Sequence, residues 1–165
     1  MKSQKNMPLL AAAGICVVSV LIMLLALLLP AEQAVPFTPP PFEQAAQKGI
    51  PQVPQALGWS ELDARVFRVG ICGVVQVTAG KADLWLTNPE DNDVWLKLRI
   101  LDDKNRILGE TGLLRPGEYL QAVAFSAEPS PGDVLQLKIM AYEPETYYSA
   151  GSVVLNTTAA EGGSQ

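Results

Sequence analysis

The chain contains no histidine. That removes at once the usual general base, the commonest metal ligand and the usual pH switch. A serine nucleophile would then need a lysine or a carboxylate as its base. Ser126 and Ser149 stand near turns, with no lysine at Ser-x-x-Lys spacing. Cys72, in Val69-Gly70-Ile71-Cys72-Gly73-Val74, sits in an apolar, glycine-flanked strand, the setting of a buried small hydrophobe rather than a reactive thiolate. The loop Glu90-Asp91-Asn92-Asp93, with Asn88 ahead of it, gathers oxygens of the kind calcium takes, yet lacks the glycine and distal glutamate of a calcium loop. It reads as a solvated turn, as does Asp102-Asp103. Asn156-Thr157-Thr158 matches a glycosylation sequon, a triplet common by chance. No metal or cofactor is expected, and no catalytic residue.

Recognition chemistry is better represented. Val94, Leu96, Leu98 and Ile100 alternate with Trp95, Lys97 and Arg99. In a strand this sends the aliphatic set to one face and the tryptophan and cations to the other. Leu84-Trp85-Leu86 repeats the parity, so Trp85 also reads as outward. A hairpin across residues 88–93 would make Trp85 and Trp95 cross-strand neighbours. Exposed tryptophan beside arginine is the composition of a binding hot spot. Trp85, Trp95, Lys97 and Arg99 are therefore the candidate partner-binding residues. Two alternatives stand beside this reading: the face is covered by the preceding segment or by Trp59, or a bulge reverses the parity of one strand.

The elements carrying these residues follow from patterning. Residues 7–29, from Met7 to Leu29, contain no charge and are long enough to cross a hydrocarbon core of about 30 Å. A cleaved signal peptide is the competing reading, but the run is long for one and the small-x-small rule fits poorly near Ala31 and Ala34. Lys2 and Lys5 precede the run and Glu32 is the first charge after it, so the positive-inside rule puts residues 1–6 in the cytoplasm and the rest outside the cell membrane. A stub that short holds no catalytic or signalling module. The bilayer is thus the partner of residues 7–29. The formal net charge of −5 argues against nucleic acid, whose phosphates an acidic domain repels. Cys16 in the span and Cys72 outside it cannot pair.

Seven prolines, Pro30, Pro36, Pro39, Pro40, Pro41, Pro51 and Pro54, mark residues 30–58 as a semi-rigid stalk. From residue 59 the period becomes two. Strands are expected at 65–69, 73–78, 81–87, 94–100, 106–110, 119–125, 135–141 and 152–156, and a helical turn at 59–64. Ala79-Gly80, Asn88-Pro89, Arg115-Pro116-Gly117 and Pro129-Ser130-Pro131-Gly132-Asp133 separate them. Leu84, Leu86, Leu96, Leu98, Ile100, Leu135, Leu137 and Ile139 are the expected core. The fold class is all-β, a sandwich of seven or eight antiparallel strands over residues 59–157. Residues 158–165, small and polar, read as a disordered tail.

One stretch has a recognisable layout: a strand closed by Asn88-Pro89, the alternating 94–100, Leu101-Asp102 and a polar turn, Ile107-Leu108-Gly109, and Leu114-x-Pro116-Gly117. It resembles the small immunoglobulin-like domains of bacterial envelope proteins that are named for a Phe-x-Leu-Tyr-Asp signature. Leu98-Arg99-Ile100-Leu101-Asp102 stands in that place, with only the Asp identical. The ending, with Ala141-Tyr142-Glu143-Pro144-Glu145-Thr146, looks like short membrane-anchored proteins of Gram-positive bacteria. The resemblance implies an immunoglobulin-like fold and an envelope setting and carries over no catalytic residue. The functional expectation is a non-enzymatic, membrane-tethered module that binds or assembles with a protein of a bacterial envelope complex. The alternatives are a carboxylate-dependent envelope hydrolase, and a sensor or accessory subunit acting through the membrane helix.

Overall fold

The computed structural model describes residues 18–21, 23–24 and 37–162. Residues 18–21 and 23–24 are helical, and among the described residues no helix is long and apolar enough to cross a membrane. Most of the apolar run 7–29, the stub 1–6 and the first part of the expected stalk lie outside the described residues. The chain divides into two compact units, Met1–Thr38 and Pro39–Gln165.

The second unit is mostly β. Its strands are β1 (Gln47–Lys48), β2 (Trp59–Asp63), β3 (Arg68–Cys72), β4 (Val75–Thr78), β5 (Lys81–Asn88), β6 (Trp95–Leu101), β7 (Ile107–Glu110), β8 (Glu118–Ala124), β9 (Val134–Tyr142) and β10 (Ser149–Glu161). They form one curled sheet in the order β1-β8-β5-β4-β10-β9-β6-β7, with β3 also on β5 and β2 on β3. The long β10 carries the curl. Its first part pairs antiparallel with β9, and residues 159–161 run parallel to β4.

Period-two patterning explains the centre of this sheet. β9 alternates strictly, and in its register with β6 Leu98 faces Ile139 and Ile100 faces Leu137. All eight expected core residues are buried at 1% exposure or less. Covering a side chain of that size is worth about 1.5–3 kcal/mol. Phe67, Val69, Ile71, Val75, Leu114 and Leu120 belong to the same cluster. At Ala79-Gly80 both residues take positive φ, 50° and 75°, as the tight turn between β4 and β5 requires.

Several expectations are corrected. The unit begins at Pro39, not at residue 59. Residues expected as free stalk are built into it: β1 pairs with β8, and Phe42 forms a parallel bridge with Leu113. Residues 59–63 form a strand rather than a helical turn, preceded by a 3-10 turn at Gln55–Leu57. The expected strand at 65–69 begins instead at Arg68, because Arg65 is a turn residue with φ 71° whose amide donates to Asp63 Oδ1 at 2.7 Å. The tail at 158–162 is not disordered: Ala159 is buried, and its amide donates to the Asp133 carbonyl at 2.9 Å. Alanine-rich ends carry little period-two signal, which is why that strand end is silent in the sequence.

Candidate functional site

The hairpin expected to bring Trp85 and Trp95 together does not form. β5 pairs with β3, β4 and β8, whereas β6 pairs with β7 and β9, so the two tryptophans belong to strands that are not neighbours. The link 89–94 crosses between them. Its turn chemistry is that of a hairpin, but core demand on both flanking strands sends them to different places.

Trp85 sits in a bulge. Register passes from Asp83 opposite Ala122 to Leu86 opposite Leu120, and Trp85 takes φ 49°, rare for a bulky residue. Its half-buried indole stacks on Tyr119, centroids 6.1 Å apart and planes 17° off parallel. The Trp59 Nε1 donates to the Trp85 carbonyl at 3.2 Å. Trp59 fits there because Gly70 has no side chain: a Cβ would stand 2.3 Å from its ring. A bulge is thus present, but it does not reverse the parity: Leu84 and Leu86 are buried on either side of half-buried Trp85, and Trp59 meets the Trp85 backbone.

Trp95 opens β6, opposite Tyr142 on β9. Its ring meets Phe42 edge-on at 4.8 Å and Tyr147 at 5.2 Å. Arg115 completes the group, its guanidinium carbon 3.6 Å from the Phe42 ring centre. Phe42 is delivered by a short stretch of backbone pairing. The Leu113 amide donates to the Pro41 carbonyl and the Glu43 amide to the Leu113 carbonyl, both at 2.9 Å. The Gly112 amide donates to Glu43 Oε2 at 2.8 Å. The opposite edge of residues 112–114 is bonded to β6 through Leu96 and Leu114. Tyr147 comes from the loop between β9 and β10, where Glu145 and Tyr147 both hold positive φ, 66° and 58°. Such conformations persist only where their surroundings enforce them. Here the Tyr147 amide donates to the Glu143 carbonyl at 3.0 Å.

Lys97 and Arg99 follow Trp95 on its face, but Lys97 is buried rather than exposed. Its Nζ lies 3.2 Å from Glu110 Oε2, and the Arg99 Nε donates to the same oxygen at 2.9 Å. Burial pushes the Glu110 carboxyl up, but hydrogen bonds and charge from Arg99 and Lys97 outweigh it and hold the group below its ordinary value.

The remaining polar residues have structural work. Asn88 is fully buried; its Nδ2 donates to the carbonyls of Val94 and Leu114, each at 2.9 Å, and its Oδ1 accepts from Asn92 Nδ2 at 2.6 Å. Asn92 clasps the backbone of Arg68, and the Arg68 guanidinium pairs with Asp91 and Glu61. Asn88, Asn92 and Asp91 thus spend side-chain oxygens on holding this loop to the end of β5 and the start of β3. Asp102, Asp103, Asp133 and Glu128 line a cavity of about 430 Å³. Burial raises the Asp102 carboxyl, but the backbone amide and guanidinium of Arg106 and the Lys104 amide bring it below its ordinary value. A second groove of about 570 Å³ is lined by Ile50, Pro51, Trp59, Pro89 and Pro116 among others. Cys72 is wholly buried, and burial, with the Asp83 charge, pushes its thiol up to about 11.

Sequence reasoning missed Phe42, Glu43, Gly112 and Arg115. The signals were faint: a phenylalanine and a glutamate directly after three prolines, and Gly112-Leu113-Leu114 too short to read as a strand. No known protein family, curated protein or solved structure matches this chain.

Proposed function

We propose that the chain is a non-enzymatic, membrane-tethered binding or assembly module carried on the outer face of a bacterial cell membrane. In this reading residues 7–29 are the anchor, and the β-rich unit is an immunoglobulin-like sandwich. The observation that carries it is the aromatic group at Trp95. Phe42, Trp95, Tyr147 and Arg115 converge where the chain enters the unit, and Tyr148 beside them is 71% exposed. Half-buried aromatics rimmed by arginine make a recognition surface, and none of them supplies a nucleophile and base pair. The partner surface in this reading is centred on Trp95 and Arg115 rather than on a Trp85–Trp95 pair.

Wall-stripped cells treated with external protease test the topology, and covalent capture on the same cells tests the face. The unit is expected to be digested, and a captured envelope protein to be lost on Tyr148→Ser but kept on Ser60→Ala at the far β2 edge. Protection of the unit overturns the orientation. Capture indifferent to Tyr148 overturns the binding face.

A further inference from the structure

The contacts at Trp95 are those of a peptide bound in a groove, with the peptide supplied by the chain itself. Residues 112–114 offer one edge to β6 and the other to residues 41–43, which join as an added parallel strand. Strand addition of this kind takes affinity from backbone bonds and selectivity from side-chain pockets. The pocket here is the Trp95 and Tyr147 rings with Arg115 over the phenyl face, filled by Phe42. Next to it the Gly112 amide takes the Glu43 carboxylate. Gly112 cannot be larger: a Cβ would lie 2.6 Å from the Glu43 nitrogen.

We propose that this groove is a recognition site for an extended peptide presenting an aromatic side chain followed directly by a carboxylate, closed in cis by Pro41-Phe42-Glu43 until such a segment from a partner displaces it. The seated segment defines the ligand chemistry. The segment that follows it is open to solvent: at Gly49, φ 108°, an added Cβ would meet nothing, and Ile50 is 93% exposed. The strap is held by β1, two residues long, by the Gly49 amide on the Gly117 carbonyl, by the Tyr119 hydroxyl on Gln47 Oε1 and by the contacts at residues 41–43. The inference deepens the binding-module reading by naming the partner chemistry.

The test uses the full chain in detergent micelles and a fluorescent synthetic peptide with the sequence of residues 39–48. Phe42→Ala in the chain opens the groove. A strap closed about 90–99% of the time weakens apparent affinity about 10–100-fold, so the variant is expected to bind the peptide tighter than the unaltered chain by that factor. A peptide carrying alanine in place of its phenylalanine is expected not to bind. Adding Gly112→Ala to the opened chain is expected to abolish binding. Equal affinity of opened and unaltered chains, or undiminished binding of the alanine peptide, overturns the proposal. If Phe42→Ala fails to fold, shown by exposure of Cys72 to thiol reagents, Glu43→Ala opens the strap more gently, and no gain in peptide affinity there overturns it equally. The assay is independent of anchoring and orientation. Failure here leaves the membrane reading standing, and failure of the topology test leaves the groove standing.

Discussion

Asn88→Ala is the most informative single change to the fold that supports the site. The Asn88 amide joins the end of β5, the entry to β6 and the 112–114 edge. Removing it leaves the Val94 carbonyl without that donor, at about 1–3 kcal/mol for a buried acceptor. The Leu114 carbonyl keeps the Leu96 amide at 3.0 Å, so its loss is nearer 1 kcal/mol. Asn92 loses one acceptor but retains the Arg68 carbonyl at 2.6 Å. The sum is on the order of 2–4 kcal/mol, a large part of the roughly 5–15 kcal/mol that holds a domain folded. At about 4 °C per kcal/mol for a unit of this size, the midpoint should fall by about 8–16 °C. Thermal melting of the full chain in micelles, followed by near-ultraviolet dichroism, measures it. Asn88→Asp adds a pH signature. Its carboxylate would face the Val94 and Leu114 carbonyls, so its folded pKa is raised and the folded state binds the extra proton. Stability of that variant, relative to the native chain, should fall as pH rises through the interval between the ordinary carboxylate value of about 3.9 and the raised one. A midpoint shift below about 4 °C for Asn88→Ala, under about 1 kcal/mol, would refute the assignment of this amide as the joint.

Two further predictions test other parts of the fold. With its thiol pushed from 9.0 to about 11, native Cys72 should hold about 100-fold less thiolate at neutral pH than a free cysteine. Maleimide labelling mapped by mass spectrometry should therefore be slow natively and fast in denaturant, and rapid native labelling would contradict its burial. Glu110 is held below its ordinary 4.5 by Arg99 and Lys97, so its contribution is complete above that value and is lost as pH falls through the lowered one. Glu110→Gln should lower stability at pH 7 and remove this part of the acid limb. An unchanged acid limb would show that the pair is too screened to matter.

The core was legible in the sequence and the site was not, for a common physical reason. Strict alternation in residues 94–100 and 135–141 names a face directly, because burying the opposite face would put Lys97, Arg99 and Lys138 in the core. A bulge is harder to read: Trp85 takes positive φ at one, and no residue type near it announces the shift in register. Pairing partners are harder still. Residues 88–93 have the composition of a hairpin turn, and only the joint packing of β5 and β6 shows that the strands separate. Proline content pointed to a stalk because proline cannot donate in a ladder. Pro41, however, contributes its carbonyl to Leu113, and the residue after it contributes a side chain. A segment rich in proline can therefore be bound as a ligand strand, a role its composition equally suits.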